Sequence, residues 1–325
     1  MKQVKTIKDR IKLYNADVLD LYDLWEKPDV IISDGPYGIS GFEGDTSNPS
    51  DLKNWYLPHI IKWTEKSTPL TTLWFWNTEI GWANVHPILE NFGWKFVNCH
   101  IWDKGKSHIA GNVNSKTLRK FPVVTEVCVQ YVKEAKFNIG EKVLSMKEWL
   151  RYEWERTGLP LYKANEACGV KNAATRKYLT KCHLWYYPPA DAFDKLVCYA
   201  NKYGKEEGKP YFSISGLNPL TGKDWEKFRS KFYCEYGITN VWKLPPLNGN
   251  ERIKIKLKSV HLNQKPLELM RLIIRASSDE NDIAWEPFGG LFSGALAAYE
   301  LNRKCFAAEI KNEFYQIGIR RFNVK

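Results

Sequence analysis

Asp282-Ile283-Ala284-Trp285-Glu286-Pro287-Phe288-Gly289-Gly290-Leu291-Phe292-Ser293-Gly294 is the stretch that decides the fold. Its first four residues read as a short apolar strand, a glycine-rich turn follows, and Ser293 to Leu301 reads as a helix. A second strand, Cys305-Phe306-Ala307-Ala308, ends at Glu309. Strand, turn, helix and strand in that order make the unit of a parallel sheet with helices on its faces. Glycines in such a turn let a ligand approach the backbone, and a helix N-terminus favours negative groups. Glu309 lies 23 positions after Glu286, a spacing that sets a carboxylate where it can hold both hydroxyls of a ribose. The turn with Glu309 in register points to a nucleoside-bearing ligand; the plainer alternative is a turn that only packs helix on strand.

The same rhythm extends outward. Apolar runs at Asp29 to Ser33, Thr71 to Trp76, Trp94 to Asn98 and Thr125 to Val132 read as strands, with helical stretches between them such as Val85 to Asn91. Lys265 to Ala276 reads as an amphipathic helix. Residues 136–258 break the rhythm: aromatic and basic residues interleave, with 23 Lys and Arg against 13 Asp and Glu. The whole chain has a net charge of +11, so nearly all of the excess falls in this stretch, which suggests a face built for phosphates. The expected division is 1–135 and 246–325 as one discontinuous α/β domain, with 136–245 inserted.

Composition excludes other classes. A chain with 44% hydrophobic and 26% charged residues is globular rather than disordered. No stretch approaches about 18 uninterrupted apolar residues, so no membrane span is expected. The opening MKQVKTIKDRIKLY is too charged for a signal peptide. The seven cysteines (Cys99, Cys128, Cys168, Cys182, Cys198, Cys234 and Cys305) are scattered without a Cys-x-x-Cys pair. They suit a reducing cytoplasm and speak against a disulfide framework or a zinc site. The six histidines show no metal-ligand spacing, so no metal is expected.

Ser33-Asp34-Gly35-Pro36-Tyr37-Gly38 closes the first strong strand. Open α/β sheets place ligands at strand C-termini. A carboxylate, a bare carbonyl, a rigid proline and an aromatic face in that order suit attack by an exocyclic amino group of a base. That nitrogen is a poor nucleophile because its lone pair is delocalised into the ring. Hydrogen bonds from its two N–H groups to Asp34 Oδ and the Gly35 carbonyl would favour pyramidalisation, with Tyr37 stacking on the base. The plainer alternative is an Asp-Gly-Pro turn with a packed tyrosine.

Asp34-Gly35-Pro36-Tyr37 resembles the Asp/Asn/Ser-Pro-Pro-Tyr catalytic motif of the amino DNA methyltransferases that use S-adenosylmethionine. Glu286-Pro287-Phe288-Gly289-Gly290 resembles the first part of their Asp-Pro-Phe-x-Gly-x-Gly cofactor motif, and His261-Leu262-Asn263-Gln264-Lys265-Pro266 resembles their His-Pro-x-Gln-Lys-Pro. Val241-Trp242, Pro245-Pro246 and Glu251-Arg252 resemble the run leading into that motif, and Asn15-Ala16-Asp17 resembles the Gly-Asp start of many members. Catalytic motif first, recognition insert next and cofactor motif last is the β-group order. The resemblance implies a Rossmann-like sheet wrapped by helices, with an inserted, mainly helical target-recognition domain. It implies Asp34, Gly35, Pro36 and Tyr37 as the catalytic motif, Phe288 and Gly290 on the methionine side of the cofactor, Glu286 among the cofactor-binding residues, and Glu309 on the ribose. Asp17 would hold the cofactor's adenine, with Gln264 and Lys265 near the methionine end. Four positions depart from the pattern: Gly35 for the first Pro, Glu286 for Asp, Phe292 at the usual second Gly, and Leu262 for Pro. Gly35 in place of Pro should loosen the loop at an entropic cost of up to about 1 kcal/mol.

In the insert, Leu159 to Leu179 reads as helix, glycine turn, helix, the second helix capped by Asn172. Asn172, Thr175, Arg176 and Lys177 would then face a major groove; an ordinary helical hairpin is the alternative. A further amphipathic helix is expected after Pro189. Arg252-Ile253-Lys254-Ile255-Lys256-Leu257-Lys258 alternates like a strand with one basic face, suited to phosphates or to guarding a sheet edge. Lys104 and Lys106 would hold DNA backbone or be plain loop charges. The reading reached is a site-specific methyltransferase acting on N6 of an adenine flipped from double-stranded DNA, in a restriction–modification system. N4-cytosine methylation and a catalytically inactive DNA-binding relative are the alternatives. A partner endonuclease and a homodimer are left open. A nicotinamide dehydrogenase shares only the glycine-rich turn.

Overall fold

The computed structural model describes residues 3–40, 45, 48–106, 116–205, 208–247, 251–255, 258–261 and 263–322. In chain order the elements are β1 Gln3–Ile7, β2 Ile11–Asn15, β3 Val30–Ser33, α1 Leu52–Lys66, β4 Thr72–Asn77, α2 Glu79–Asn91, β5 Trp94–Asp103 and β6 Thr125–Lys133. Then come β7 Lys136–Ile139, β8 Lys142–Ser145, α3 Met146–Arg156, α4 Lys163–Cys168, α5 Ala173–Tyr178, α6 Ala190–Tyr203 and α7 Gly222–Glu226. The last are β9 Val241–Lys243, β10 Lys254–Ile255, β11 Lys258–Ser259, α8 Leu267–Ser277, β12 Ile283–Glu286, α9 Ser293–Glu300, β13 Lys304–Glu309 and α10 Asn312–Arg320.

Two compact units emerge: residues 1–133 with 230–325, and residues 134–229. The second boundary therefore falls at 229/230, ahead of the expected 245, because β9 pairs in parallel with β5 and belongs to the sheet. This relocates much of the basic charge. The unit 134–229 holds 17 Lys and Arg against 12 Asp and Glu, and residues 230–258 hold 6 against 2. The excess is shared between the units rather than concentrated in the insert.

Unit 1 is built on a nine-stranded sheet in the order β1-β2-β13-β12-β3-β4-β6-β5-β9. β2, β13, β12, β3 and β4 run parallel, while β6 is antiparallel to both of its neighbours. β3 and β4 are buried along their whole length, which is why they read as apolar runs without alternation. Val30, Ile32 and Trp74 face one layer, with Leu269, Ile273 and Ala295 of α8 and α9. Ile31, Leu73 and Phe75 face the other, with Tyr56, Ile60 and Trp63 of α1 and Val85 and Leu89 of α2. β12 lies beside β3 in parallel, with Ala284 opposite Val30 and Trp285 opposite Ile31, so segments about 250 residues apart end on the same edge. The chain leaves this edge in opposite directions from β3 and β12, the place where open sheets form a crevice.

Unit 2 has its own core, in which Phe193 stacks on Trp225 at 4.7 Å and Phe137 on Trp149 at 4.5 Å. No helix among the described residues is long and apolar enough to cross a membrane. The seven cysteines are free thiols.

Candidate active site

The loop after β3 is held from three sides. The Asp45 carboxylate accepts the Tyr37 and Gly38 N–H groups at 2.9 and 2.7 Å. The Pro36 carbonyl accepts the Tyr56 hydroxyl at 3.1 Å and Asn77 Nδ2 at 3.0 Å. The loop is therefore tied down despite Gly35, and the expected loss of rigidity is offset by these bonds. The structure also accounts for glycine at 35: a Cβ there would lie 2.7 Å from Tyr56 Oη and 2.9 Å from Phe288 Cδ2. No hydrogen bond to the Gly35 carbonyl is found among the described residues.

Asp34 Oδ1 accepts the Tyr37 hydroxyl at 2.9 Å and Lys265 Nζ at 2.7 Å. Lys265 also lies 3.4 Å from Glu126 Oε2, and Lys104 pairs with Glu126 Oε1. Burial works against the Glu126 charge, but the ammonium groups of Lys265 and Lys104 outweigh it and hold the carboxyl below its ordinary range. Burial likewise opposes the Lys265 charge, and Asp34 and Glu126 together raise its pKa. Burial, reinforced by Asp34 and Glu126, lifts the Tyr37 phenol well above its ordinary value.

At the neighbouring strand ends, Glu286 Oε1 and Oε2 accept the Gly294 and Ala295 N–H groups at 2.7 and 2.8 Å. Glu286 thus caps the N-terminus of α9, which has no capping side chain at its own N-cap, Phe292. Burial pushes its pKa up to about 8 against the pull of those donors. Phe292 sits in the left-handed region (φ 58°, ψ 43°), the conformation a glycine takes freely, and its ring is fully buried against Gly318 and Tyr315. Glu309 Oε2 accepts the Gly290 N–H at 2.8 Å and Oε1 the Lys311 N–H at 2.7 Å, leaving each oxygen a second acceptor position. Burial raises the Glu309 pKa. Gly290 has φ 51°, and His261 Nε2 would lie 3.3 Å from a Cβ there. His261 Nδ1 is buried and has no hydrogen-bond partner among the described residues.

These groups share one cavity of about 730 Å³. Its lining includes Asp17, Asp34 to Tyr37, His261, Gln264, Lys265, Glu286, Phe288, Gly290 and Glu309. All eleven residues expected in the catalytic and cofactor sets, Gly35 and Pro36 included, line this cavity. Their bonds are not all as expected. Lys265, expected near the methionine end, donates to Asp34, and Gln264 ties the Glu251 carbonyl and the Ile253 N–H. Both oxygens of Glu286 turn into the helix end. Tyr37 is 4% exposed, with its hydroxyl on Asp34. Asp17 caps the turn at Val18–Asp20 through the Leu19 N–H. The sequence reading missed Glu126, Asp45, Asn77 and Tyr56; of these, Glu126 carried a signal, as a charge next to the apolar run of β6.

The residues expected to meet DNA divide. Asn172, Arg176, Lys177, Lys254 and Lys106 are exposed. Thr175 is turned inward: its hydroxyl donates to the Leu161 carbonyl at 2.7 Å and its N–H to Asn165 Oδ1, tying α5 to the chain around α4. Asn172 makes no side-chain cap. Lys104 is occupied by Glu126 and lies over the Trp102 ring. Arg252 donates to the His261 carbonyl at 3.0 Å. The run 252–258 is not one strand: β10 pairs antiparallel with β11, so the chain doubles back, with 256–257 outside the described residues. Leu262 also lies outside them.

A family model described as DNA methylase matches residues 28–320. Type II methyltransferase M.HindIII of Haemophilus influenzae is 36% identical over 83 residues, 24% of this chain and 27% of that protein. DNA adenine methyltransferase YhdJ of Escherichia coli is 36% identical over 85 residues, 26% of this chain and 28% of that protein. The chain thus matches little more than a quarter of the length of these two relatives. Among solved structures, the M1.HpyAVI-SAM complex superposes with a TM-score of 0.55 at 17% identity, covering 97% of this chain and 100% of that one; at such identity the likeness is one of fold.

Proposed function

The chain belongs to the N6/N4 DNA methylase family, and from that membership we propose that it moves a methyl group from S-adenosylmethionine to N6 of an adenine flipped out of double-stranded DNA, as the modifying enzyme of a restriction–modification system. One cavity carrying both the Asp34–Tyr37 loop and the Gly289–Gly290 turn supports this most strongly, since donor and acceptor must meet in one space.

The residues present fit the cofactor. Gly290 leaves the backbone bare beside His261, whose Nδ1 has no partner among the described residues, and Glu309 keeps acceptor positions for ribose hydroxyls. Phe288, packed on Trp55 at 5.1 Å and His59 at 5.0 Å, forms an apolar wall. When bound, the cofactor supplies an electrophilic methyl group on sulfonium. The chain's own part is to orient the amine. Asp34 Oδ2 and the Gly35 carbonyl, neither with a partner among the described residues, accept its two N–H groups and localise the lone pair. Asp34 Oδ2 then takes the proton that the methylated nitrogen sheds. No covalent enzyme intermediate is required, so the buried Cys128, whose thiol pKa burial lifts well above the ordinary value, stays a bystander.

Adenine is favoured by Asp34 in the first motif position and by the likeness to YhdJ, named as a DNA adenine methyltransferase. The test is transfer of tritiated methyl from the cofactor to duplex DNA, followed by nucleoside analysis. N6-methyladenine is expected, and Asp34→Ala should abolish incorporation while DNA binding persists. Label in N4-methylcytosine would replace the base assignment, and binding without incorporation would end the enzyme reading.

A further inference from the structure

Behind the acceptor loop stands a row of four charges alternating in sign: Asp34, Lys265, Glu126 and Lys104. They come from four separate places, the end of β3, the segment before α8, the start of β6 and the residue after β5. The Lys265, Glu126 and Lys104 side chains are only 2%, 13% and 11% exposed. Charges this buried are costly unless paired and hydrogen-bonded, and removing one partner strands the others. Such a row calls for a reason, and methyl transfer as described uses only Asp34.

The geometry at Asp34 supplies one. Oδ1 already accepts two donors, Lys265 Nζ at 2.7 Å and the Tyr37 hydroxyl at 2.9 Å, so its lone pairs are filled and the carboxylate cannot turn freely. Oδ2 remains as the acceptor for an incoming N–H. Lys265 is in turn held by Glu126 at 3.4 Å and by the Asn263 carbonyl at 3.4 Å. We propose that Lys265 and Glu126 are positioning residues for amine methylation: Lys265 locks the Asp34 carboxylate with one oxygen committed to the protein and the other to the target base, and Glu126 holds Lys265 in place. This rests on the methyltransferase reading above.

The other titratable groups around Asp34 do not replace Lys265. Tyr37 and Tyr56 are kept neutral by burial, as is the Cys128 thiol, and His261, with its pKa lowered to about 4, is uncharged near neutral pH. Asp45, bonded to the same loop, adds negative charge, and Glu286, which feels Asp34 and is pushed up to about 8 by burial, is an acid bonded to the α9 end and supplies no cation. With Lys265 gone, Asp34 and Glu126 would face each other through the Tyr37 hydroxyl, 2.9 Å from one and 3.3 Å from the other, with Lys104 touching only Glu126. With no cation between them the two carboxylates repel each other, which disfavours having both ionised and makes the site more sensitive to acid.

Single-turnover methyl transfer to duplex DNA by the full chain between pH 5 and 9 tests this. Lys265→Met should lower the rate at pH 8 by about 100-fold, leave DNA affinity near wild type, and move the acid limb of the profile up by about one unit or more. Lys265→Arg should return the limb toward wild type. Glu126→Gln should slow transfer by about tenfold without raising the limb, and the double variant Lys265→Met/Glu126→Gln should bring the limb back down. A Lys265→Met enzyme with the wild-type rate and limb overturns the proposal, as does a double variant whose limb stays raised. Should Lys265→Met fail to fold by thermal melting, Glu126→Gln with an unchanged rate overturns it alone. A wild-type protein that transfers no methyl to any DNA refutes the parent reading instead.

Discussion

Alanine at position 35 is the sharpest probe of the acceptor loop. Its methyl group would lie 2.7 Å from Tyr56 Oη and 2.9 and 3.0 Å from Phe288 Cδ2 and Cε2. Ordinary contact begins near 3.4 Å, so the first pair must part by roughly 0.7 Å and the second by roughly 0.5 Å. Neither neighbour yields easily. Tyr56 is fully buried with its hydroxyl on the Pro36 carbonyl, and Phe288 is packed among Trp55, Tyr56, His59 and Trp63. The loop must then move and carry Asp34 with it. Overpacking of this kind costs about 1–3 kcal/mol of stability, and an acceptor shifted by half an ångström or more slows transfer about 10- to 100-fold. Single-turnover incorporation of tritiated methyl reads the rate, and a urea titration reads the stability. Adding Tyr56→Phe removes the closest contact at the loss of one neutral hydrogen bond, about 0.5–1.5 kcal/mol, and should recover several-fold in rate. Gly35→Ala with wild-type turnover, or a second substitution that only deepens the loss, would refute the steric account.

Three further outcomes are expected. Glu309→Gln sets an amide N–H against one of the two backbone N–H groups that the carboxylate now accepts, so cofactor affinity by calorimetry should fall about 10- to 100-fold; unchanged affinity removes Glu309 from the cofactor site. Reversing Arg176 and Lys177 to Glu should weaken DNA binding and reduce the slope of log K against log salt by about 2, read by filter binding at several salt concentrations; an unchanged slope takes α5 out of the interface. His59, His100 and His261 all have pKa values lowered to about 4 by burial. Folded-state values below the unfolded value near 6.5 mean stability that is present above about 6.5 and lost as pH falls toward 4, by up to about 1.4 kcal/mol per unit per histidine. Urea midpoints at pH 7 and 5 should show that decline, and His100→Gln should remove about a third of it; a flat profile contradicts the buried neutral state.

The sheet was legible because fully buried strands such as Val30–Ser33 and Thr72–Asn77 must be apolar on both faces, and few other elements produce such runs. The crevice followed, since parallel strands deliver their following loops to one edge. What stayed hidden was pairing across sequence distance. Nothing local to Lys265 indicates that its ammonium group lies on Asp34, 231 residues earlier. Polar side chains also have two uses, and sequence does not say which applies. Thr175, Lys104 and Arg252 read as groups for a partner and are bonded inside the protein. Alternation misled at Arg252 to Lys258, where a basic–apolar pattern accompanies a hairpin of two-residue strands. The end of the insert was placed late for a different reason: the three-residue strand Val241–Lys243 is too short to carry a periodic signal, yet it joins the sheet.

Phe292 keeps a backbone shape that glycine would take without strain, at a conformational penalty of about 1–3 kcal/mol set against an aromatic ring sunk wholly into the interior. Straightening that turn would drag the ring into water, so the glycine-rich turn before α9 has no cheap route to local fraying. Amide deuteration at Gly289 and Gly294 would then proceed only through whole-molecule opening, and ligand grip and melting temperature would rise and fall together.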